Sequence, residues 1–170
     1  MKRTLLTALI VSISGVCFSQ TYIALYPAVT NTAGTFPDKT NIALEIGRQW
    51  DVFSMGIDLG KTSLEKQTIK DTTVYLELRP NLNIFQQGRF TNTLTIGIGY
   101  IFSAGQSLMT EITSGIEYTF NDKLHFNLYF GQYYYSGRYD ASTVTFFGIS
   151  GMLYFTPPKA KSLFKPSPKQ

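Results

Sequence analysis

The sequence is short of the residues that carry most enzyme chemistry. Among its 170 residues there is one cysteine, Cys17, and one histidine, His125. Cys17 lies in a segment that we expect to be removed, so the mature chain would have no disulfide and no thiol chemistry. One histidine without a cysteine cannot supply a His/Cys zinc site. Phosphate-binding loops and nucleotide fingerprints are missing as well, so we expect no metal and no cofactor.

Basic residues are unevenly distributed. The formal net charge is +4, but Lys2, Arg3 and four lysines after Phe155 contribute six positive charges. Residues 20–155 hold nine cations and eleven acids, a net charge of −2. A nucleic-acid-binding domain carries a basic patch on its folded part. The charge distribution therefore does not favour nucleic acid as a partner.

The two ends differ from the rest of the chain. Residues 1–19 combine a basic start, an apolar run over 5–16 and the sequence Cys17-Phe18-Ser19, a pattern typical of a cleaved secretory signal peptide. The apolar run is shorter than the roughly 20 residues that a spanning helix needs. Residues 156–170 are rich in proline and lysine, which predicts a disordered tail.

Between these ends the sequence alternates with a period of two. In one segment Leu94, Ile96 and Ile98 fall on one face while Thr93 and Thr95 fall on the other. Such alternation is typical of half-buried strands. The pattern predicts an all-β chain of eight strands, at 21–30, 41–50, 53–61, 71–85, 89–102, 108–120, 124–136 and 143–155.

The joins between these segments alternate in length. Tight turns are expected around Asp51, at Gln86-Gln87-Gly88 and at Asn121-Asp122-Lys123. Longer joins separate them, at 31–40, 62–70, 103–107 and 137–142. This alternation predicts an antiparallel up-and-down β-barrel with short turns at one end and longer loops at the other. Pro27 and Pro80 interrupt two strands, which predicts bulges there or misplaced strand limits.

The residue types on the polar faces distinguish a membrane barrel from a soluble one. From Phe90 to Asp122 there is no Lys or Arg, although a soluble barrel would show charges to water. A Lys or Arg on the lipid face at mid-bilayer costs about 2–4 kcal/mol. The pattern thus favours a transmembrane barrel. A soluble lipocalin-like barrel that binds an apolar ligand is the alternative.

Aromatic residues are expected in two belts at the membrane interfaces. Tyrosines 133–135 are expected at the loop end with the second belt. The belts comprise Trp50, Phe53, Phe90, Phe120 and Phe155 at the turn end, and Tyr100 and Phe102 at the loop end.

The inward faces are expected to form a polar network. An eight-stranded barrel is just wide enough to be filled by its own side chains, so we expect no general pore. Arg79 should pair with the carboxylates around it; because acids outnumber it, we expect one carboxyl to be protonated, or Arg48 or a loop cation to assist. The expected members are Glu45, Asp58, Glu77, Arg79, Glu111, Glu117 and His125.

The last predicted strand, "TVTFFGISGMLYF", ends on the aromatic Phe155. With the eight alternating segments it resembles the OmpA/OmpX-like eight-stranded outer-membrane barrels of Gram-negative bacteria. That resemblance implies insertion by the barrel assembly machinery, which reads such a terminal strand, and contact with outer-membrane lipid and lipopolysaccharide. Here fifteen residues follow Phe155, and they would lie in the periplasm, either solvated or in weak contact with headgroups or the cell wall.

The functional expectation is a structural or accessory outer-membrane protein without catalysis. Some small barrels are lipid-modifying enzymes, and the deacylases among them use a His-x-Ser sequence. In this chain Asn127 follows His125 at the position of that serine. A nucleophile-histidine-acid arrangement needs all three roles filled, so the enzyme remains a third hypothesis.

Overall fold

A computed structural model describes residues 20–31, 39–66, 69–102, 107–137 and 142–155. The predicted signal peptide and tail lie outside them. The described residues form eight strands. These are β1 (Gln20–Asn31), β2 (Lys39–Trp50), β3 (Phe53–Lys66), β4 (Ile69–Gln87), β5 (Phe90–Phe102), β6 (Ser107–Thr119), β7 (Leu124–Gly137) and β8 (Ser142–Tyr154).

The eight strands close into one barrel. Each strand pairs antiparallel with the next, and β8 pairs with β1 to complete the ring. Closure removes the unpaired edges that an open sheet would leave. The predicted all-β, eight-stranded, up-and-down antiparallel barrel is therefore confirmed. In the part of the chain that the structure describes, no helix is long and apolar enough to cross a membrane.

The hairpin of β3 and β4 is longer than the sequence indicated. We predicted a loop over 62–70, but the two strands stay paired from Lys61 and Val74 up to Lys66 and Ile69. Their outer neighbours stop earlier, β2 at Ile42 opposite Lys61 and β5 at Phe102 opposite Val74. The polar composition of this stretch suggested a loop, whereas ladder hydrogen bonds from a single neighbour maintain it as a two-stranded ribbon.

The two prolines do not mark bulges. The strands run through Pro27 and Pro80, and the register is the same before and after each of them. The register shift of β4 instead lies between Asn83 and Phe85. The carbonyl of Pro27 accepts a 2.8 Å hydrogen bond from the hydroxyl of Tyr129, which supplements the interrupted β1–β8 ladder.

The first and third tight turns fall where they were predicted, whereas the second lies at Gly88-Arg89 because Gln86 and Gln87 stay paired in β4. Asp51 has φ 29° and Gly88 has φ 60°, left-handed values that glycine adopts without strain and that aspartate tolerates. The buried amide of Gln49 donates to the carbonyls of Asp51 at 2.9 Å and Phe53 at 3.2 Å, which holds the first turn. At the third turn Asn121 Oδ1 accepts from the backbone N–H of Lys123, as in an Asx turn.

Candidate functional site: the polar lumen and the apolar wall

The barrel has a polar inside and an apolar outside. The side chains that point into the lumen, the space enclosed by the strands, are mostly Asp, Glu, Asn, Thr and Tyr, and they are buried. All seven residues predicted for the inward network point into the lumen. Among the side chains that the structure describes, 26 large hydrophobic ones are exposed on the outside. A soluble domain arranges these two classes in the opposite way.

Arg79 connects the side chains of the polar network in the lumen. Its Nη1 donates to Glu45 Oε2 and its Nη2 to Glu111 Oε1, each at 2.8 Å, so one guanidinium joins β2, β4 and β6. The guanidinium carbon also lies 4.4 Å from the ring centroid of Tyr26 on β1. A planar fork with several donors suits such a bridge between two carboxylates. Arg79 thus ties four strands together through the centre of the barrel.

One hydroxyl group bonds each of the two carboxylates that Arg79 bridges. The Tyr22 hydroxyl donates to Glu45 Oε1, and the Thr113 hydroxyl donates to Glu111 Oε1. Glu111 Oε2 has no partner among the described residues. Charged hydrogen bonds of this kind are stronger than neutral ones, and they offset part of the cost of removing charge from water.

Glu77 is the exception in this network. It is 1% exposed, no described donor group bonds its carboxyl oxygens, and its closest charged neighbour is the side chain of Glu111. Its carboxyl lies over Gly97, beside the Cβ of Glu111. Asp58, the neighbouring acid on β3, receives one 3.2 Å hydrogen bond from the Tyr75 hydroxyl. Among the described residues, Arg79 thus bonds Glu45 and Glu111 directly but not Glu77.

His125 and Glu117 form a separate pair near the turn end. His125 Nδ1 lies 2.6 Å from Glu117 Oε1, and the imidazole packs at 4.7 Å between centroids against Tyr154. Nε2 of His125 has no partner within the described residues. The register places Asn127 opposite Glu117 and Met152 opposite His125. The two predicted residues are thus together, but apart from the Arg79 cluster.

An aromatic cluster closes the loop end of the lumen. Tyr133 stacks on Phe146 with centroids 4.2 Å apart, and Tyr75 and Tyr135 lie against Tyr133 at 6.5 Å and 6.1 Å. This corrects our expectation that tyrosines 133–135 all join the outer aromatic belt. Only Tyr134 faces outward. The alternation of β7, which sends Gly131 and Tyr129 inward, sends Tyr133 and Tyr135 inward too.

Inward glycines make room for the large side chains of the neighbouring strands. A Cβ at Gly47 would overlap the ring of Tyr22, and one at Gly60 would overlap the ring of Tyr75. We did not predict that these tyrosines would fill the lumen. The signal was present in the sequence, because a glycine on an inward strand position leaves a gap that a cross-strand aromatic can fill.

Little space remains around Arg79 in the described part of the lumen. The cavity beside Arg79, Asn81 and Asn127 has a volume of about 10 Å³, roughly the volume needed to hold one water molecule. Among the described side chains, no three His, Cys, Asp or Glu residues converge closely enough to hold a metal ion. The described side chains around Arg79 therefore leave room for about one water molecule.

The predicted aromatic belts lie at the two rims. At the turn end Trp50 stacks on Phe53 at 5.8 Å, and at the loop end Tyr100 contacts Phe102 at 5.1 Å. Arg48 lies on the outward face of β2, two residues from Trp50, so it does not enter the lumen to assist Arg79. The other exposed belt residues are Phe90, Phe120 and Phe155, all at the turn end.

Known structures share this architecture. The chain superposes on Neisserial surface protein A with a TM-score of 0.58 at 7% identity, covering 81% of this chain and 97% of that one. It superposes on the N-terminal β-barrel domain of Pseudomonas aeruginosa OprF with a TM-score of 0.53 at 12% identity, covering 79% and 99%. By sequence, no family model and no curated protein matches the chain.

These similarities concern the fold. Both structures are small eight-stranded outer-membrane barrels. The chain therefore has the fold of that class, and the resemblance to OmpA/OmpX-like barrels that the sequence indicated is confirmed at the level of architecture.

Proposed function

We propose that this protein is a structural or accessory protein of the bacterial outer membrane, with a filled lumen and no catalytic activity. The observation that carries the proposal is the outward band of exposed Leu, Ile and Phe side chains on all eight strands. Exposed apolar patches on soluble monomers are far smaller than a band that encircles the barrel. Lipid is the environment that stabilises such a surface.

The membrane proposal is tested against the soluble alternative by fractionation. Cells expressing the full chain are separated into periplasmic and outer-membrane fractions, and the membrane fraction is run on gels with and without heating. We expect the protein in the outer membrane, with a mobility that changes on heating. A protein soluble without detergent, with the same mobility in both lanes, would support a lipocalin-like barrel.

The filled lumen supports the proposal that the barrel is not a diffusion pore. The Arg79 bridge crosses the lumen at mid-height, and the cluster of Tyr133 and Phe146 lies above it. The purified barrel in a planar bilayer should give no stable conductance steps. An Arg79→Ala, Glu111→Ala double variant should admit ions if these side chains are the obstruction; steady steps from the unmodified protein would contradict the proposal.

The environment of His125 supports the proposal that the protein is not an enzyme. His125 and Glu117 would be the histidine and acid of a hydrolase, but no described hydroxyl is hydrogen-bonded to the ring. His125 is 3% exposed, so a lipid ester in the membrane cannot reach it. Incubation with lipid A should leave its acyl chains intact. Acyl release by the wild type and not by His125→Ala would establish the enzyme hypothesis.

Contacts with lipopolysaccharide and with the barrel assembly machinery are part of the same proposal. The aromatic belts and the β8 strand support them, since they supply an interfacial surface and a terminal strand with outward Phe147, Ile149 and Leu153. A Phe155→Ala variant should insert more slowly if that aromatic is read during assembly. Insertion is followed by the fraction of chain that reaches the heat-modifiable form.

A further inference from the structure

The apolar wall has a groove near its loop end. Its floor is the outer backbone face of the cross-strand pair Ala43 and Gly60, whose side-chain positions face the lumen. The groove has a volume of about 420 Å³, within the range of about 300–1,000 Å³ of small-molecule sites. The outward side chains that line it are Leu25, Ile42, Leu44, Leu59 and Val74.

The side chain of Lys61 lies at the loop-side end of this groove. Lys61 lines the groove, is exposed, and lies directly opposite Ile42 in the β2–β3 register. Among the strand residues with described side chains, two cations face outward. One is Lys61, and the other is Arg48 at the turn end. A lysine at the polar end of an apolar groove matches the chemistry of a lipid, an acyl chain joined to an anionic headgroup.

A second groove on the same wall lacks the charge. It has a volume of about 360 Å³ and lies across β3 to β6, with the outward residues Ile57, Leu78, Ile98 and Leu108. The polar residue at its loop-side end is Tyr100. The two grooves are similar in size, but the charged residue that lines the second is the acid Glu77, whereas the first has the cation Lys61.

We infer that the groove below Lys61 binds one lipid A molecule of the outer leaflet, with an acyl chain along Leu25, Leu44 and Leu59 and a phosphate on the Lys61 ammonium. The inference rests on the proposed function, which places the loop end at the outer surface. A lysine near the membrane surface contributes about 1 kcal/mol toward an anionic lipid, or about fivefold in affinity.

The test is a titration of the full barrel in neutral detergent micelles with lipid A, read as bound lipid by native mass spectrometry. Wild type and Lys61→Arg should bind one lipid A with equal affinity, and Lys61→Gln should bind about fivefold more weakly. Arg48→Gln is the matched control, because it removes an outward cation at the opposite rim. It should bind as wild type does.

Three results would overturn the inference. The first is unchanged lipid A binding by Lys61→Gln, and the second is an equal loss in Arg48→Gln, which would indicate unspecific attraction. The third is equally tight, Lys61-dependent binding of phosphatidylglycerol with matched chains, which would assign the groove to phospholipid. Only protein with heat-modifiable mobility enters the titration, so a failure of the membrane proposal is recognised before the lipid is added.

Discussion

Glu77 and Arg79 lie two residues apart on the inward face of β4, yet the Arg79 guanidinium pairs with Glu45 and Glu111 and not with Glu77. The two acids that Arg79 bonds are on other strands. Side chains two apart on a strand point the same way and run side by side, so the outstretched guanidinium meets acids that approach from across the lumen.

This relationship predicts opposite effects for two substitutions on one strand. Arg79→Met leaves two buried carboxylates without their cation, and we expect a loss of about 3–5 kcal/mol in the free energy of unfolding. Glu77→Gln removes a buried acid that Arg79 does not bond and that lies beside Glu111, and the free energy of unfolding should stay the same or rise. Urea titration in lipid vesicles, followed by gel mobility, measures both. Equal destabilisation by the two variants would mean that Glu77 also depends on Arg79.

Alanine substitutions at two glycines of β8 test how tightly the lumen is packed. Gly148 faces inward, where a Cβ would overlap the carbonyl of Pro27 and the hydroxyl of Tyr129, whereas a Cβ at Gly151 on the outward face would meet nothing. Gly148→Ala should cost about 1–3 kcal/mol of unfolding free energy through overpacking. Gly151→Ala should be neutral or gain about 0.5–1 kcal/mol, because alanine is less flexible in the unfolded chain. If both variants unfold at the same urea concentration, the lumen can accommodate an added methyl group at Gly148, and the expectation of tight packing there is wrong.

The sequence predicts the architecture well because period-two alternation and tight turns are local properties. Eight strands and the inward positions of the seven predicted network residues follow from parity, and the strand order follows from the lengths of the joins. The same parity determines that Tyr133 and Tyr135 face inward. We predicted them at the membrane interface because the run is rich in aromatic residues.

Contacts across the lumen are less accessible to sequence reasoning. Which acids Arg79 bonds depends on strand tilt and stagger, which set how residues from non-adjacent strands meet. The length of the β3–β4 ribbon depends on pairing between polar residues that carry no hydrophobic pattern, such as Thr62 opposite Thr73. Neither property leaves a periodic signal along the chain.

The pair of His125 and Glu117 predicts a measurable coupling in the lumen. Their contact is 2.6 Å and both residues are buried, so each single alanine variant leaves the other polar group without a partner. The double variant should therefore be more stable than the sum of the two losses predicts, by about 0.5–3 kcal/mol. Unfolding of the four proteins in vesicles gives this coupling energy. Additive losses would show that the two side chains act independently.

Arginine substitutions at two leucines on the outward face of β7 test where the bilayer lies along the barrel. Leu128 lies near the middle of the strand and Leu124 at its turn end, on the same face. Arginine at mid-bilayer costs about 2–4 kcal/mol, and near the interface about 0–1 kcal/mol. Leu128→Arg should therefore lower the free energy of unfolding in vesicles by that larger amount, while Leu124→Arg changes it little, because its guanidinium reaches the headgroups. A soluble barrel would tolerate arginine on its water-exposed face at both positions, so equal, small effects would contradict a membrane-spanning wall.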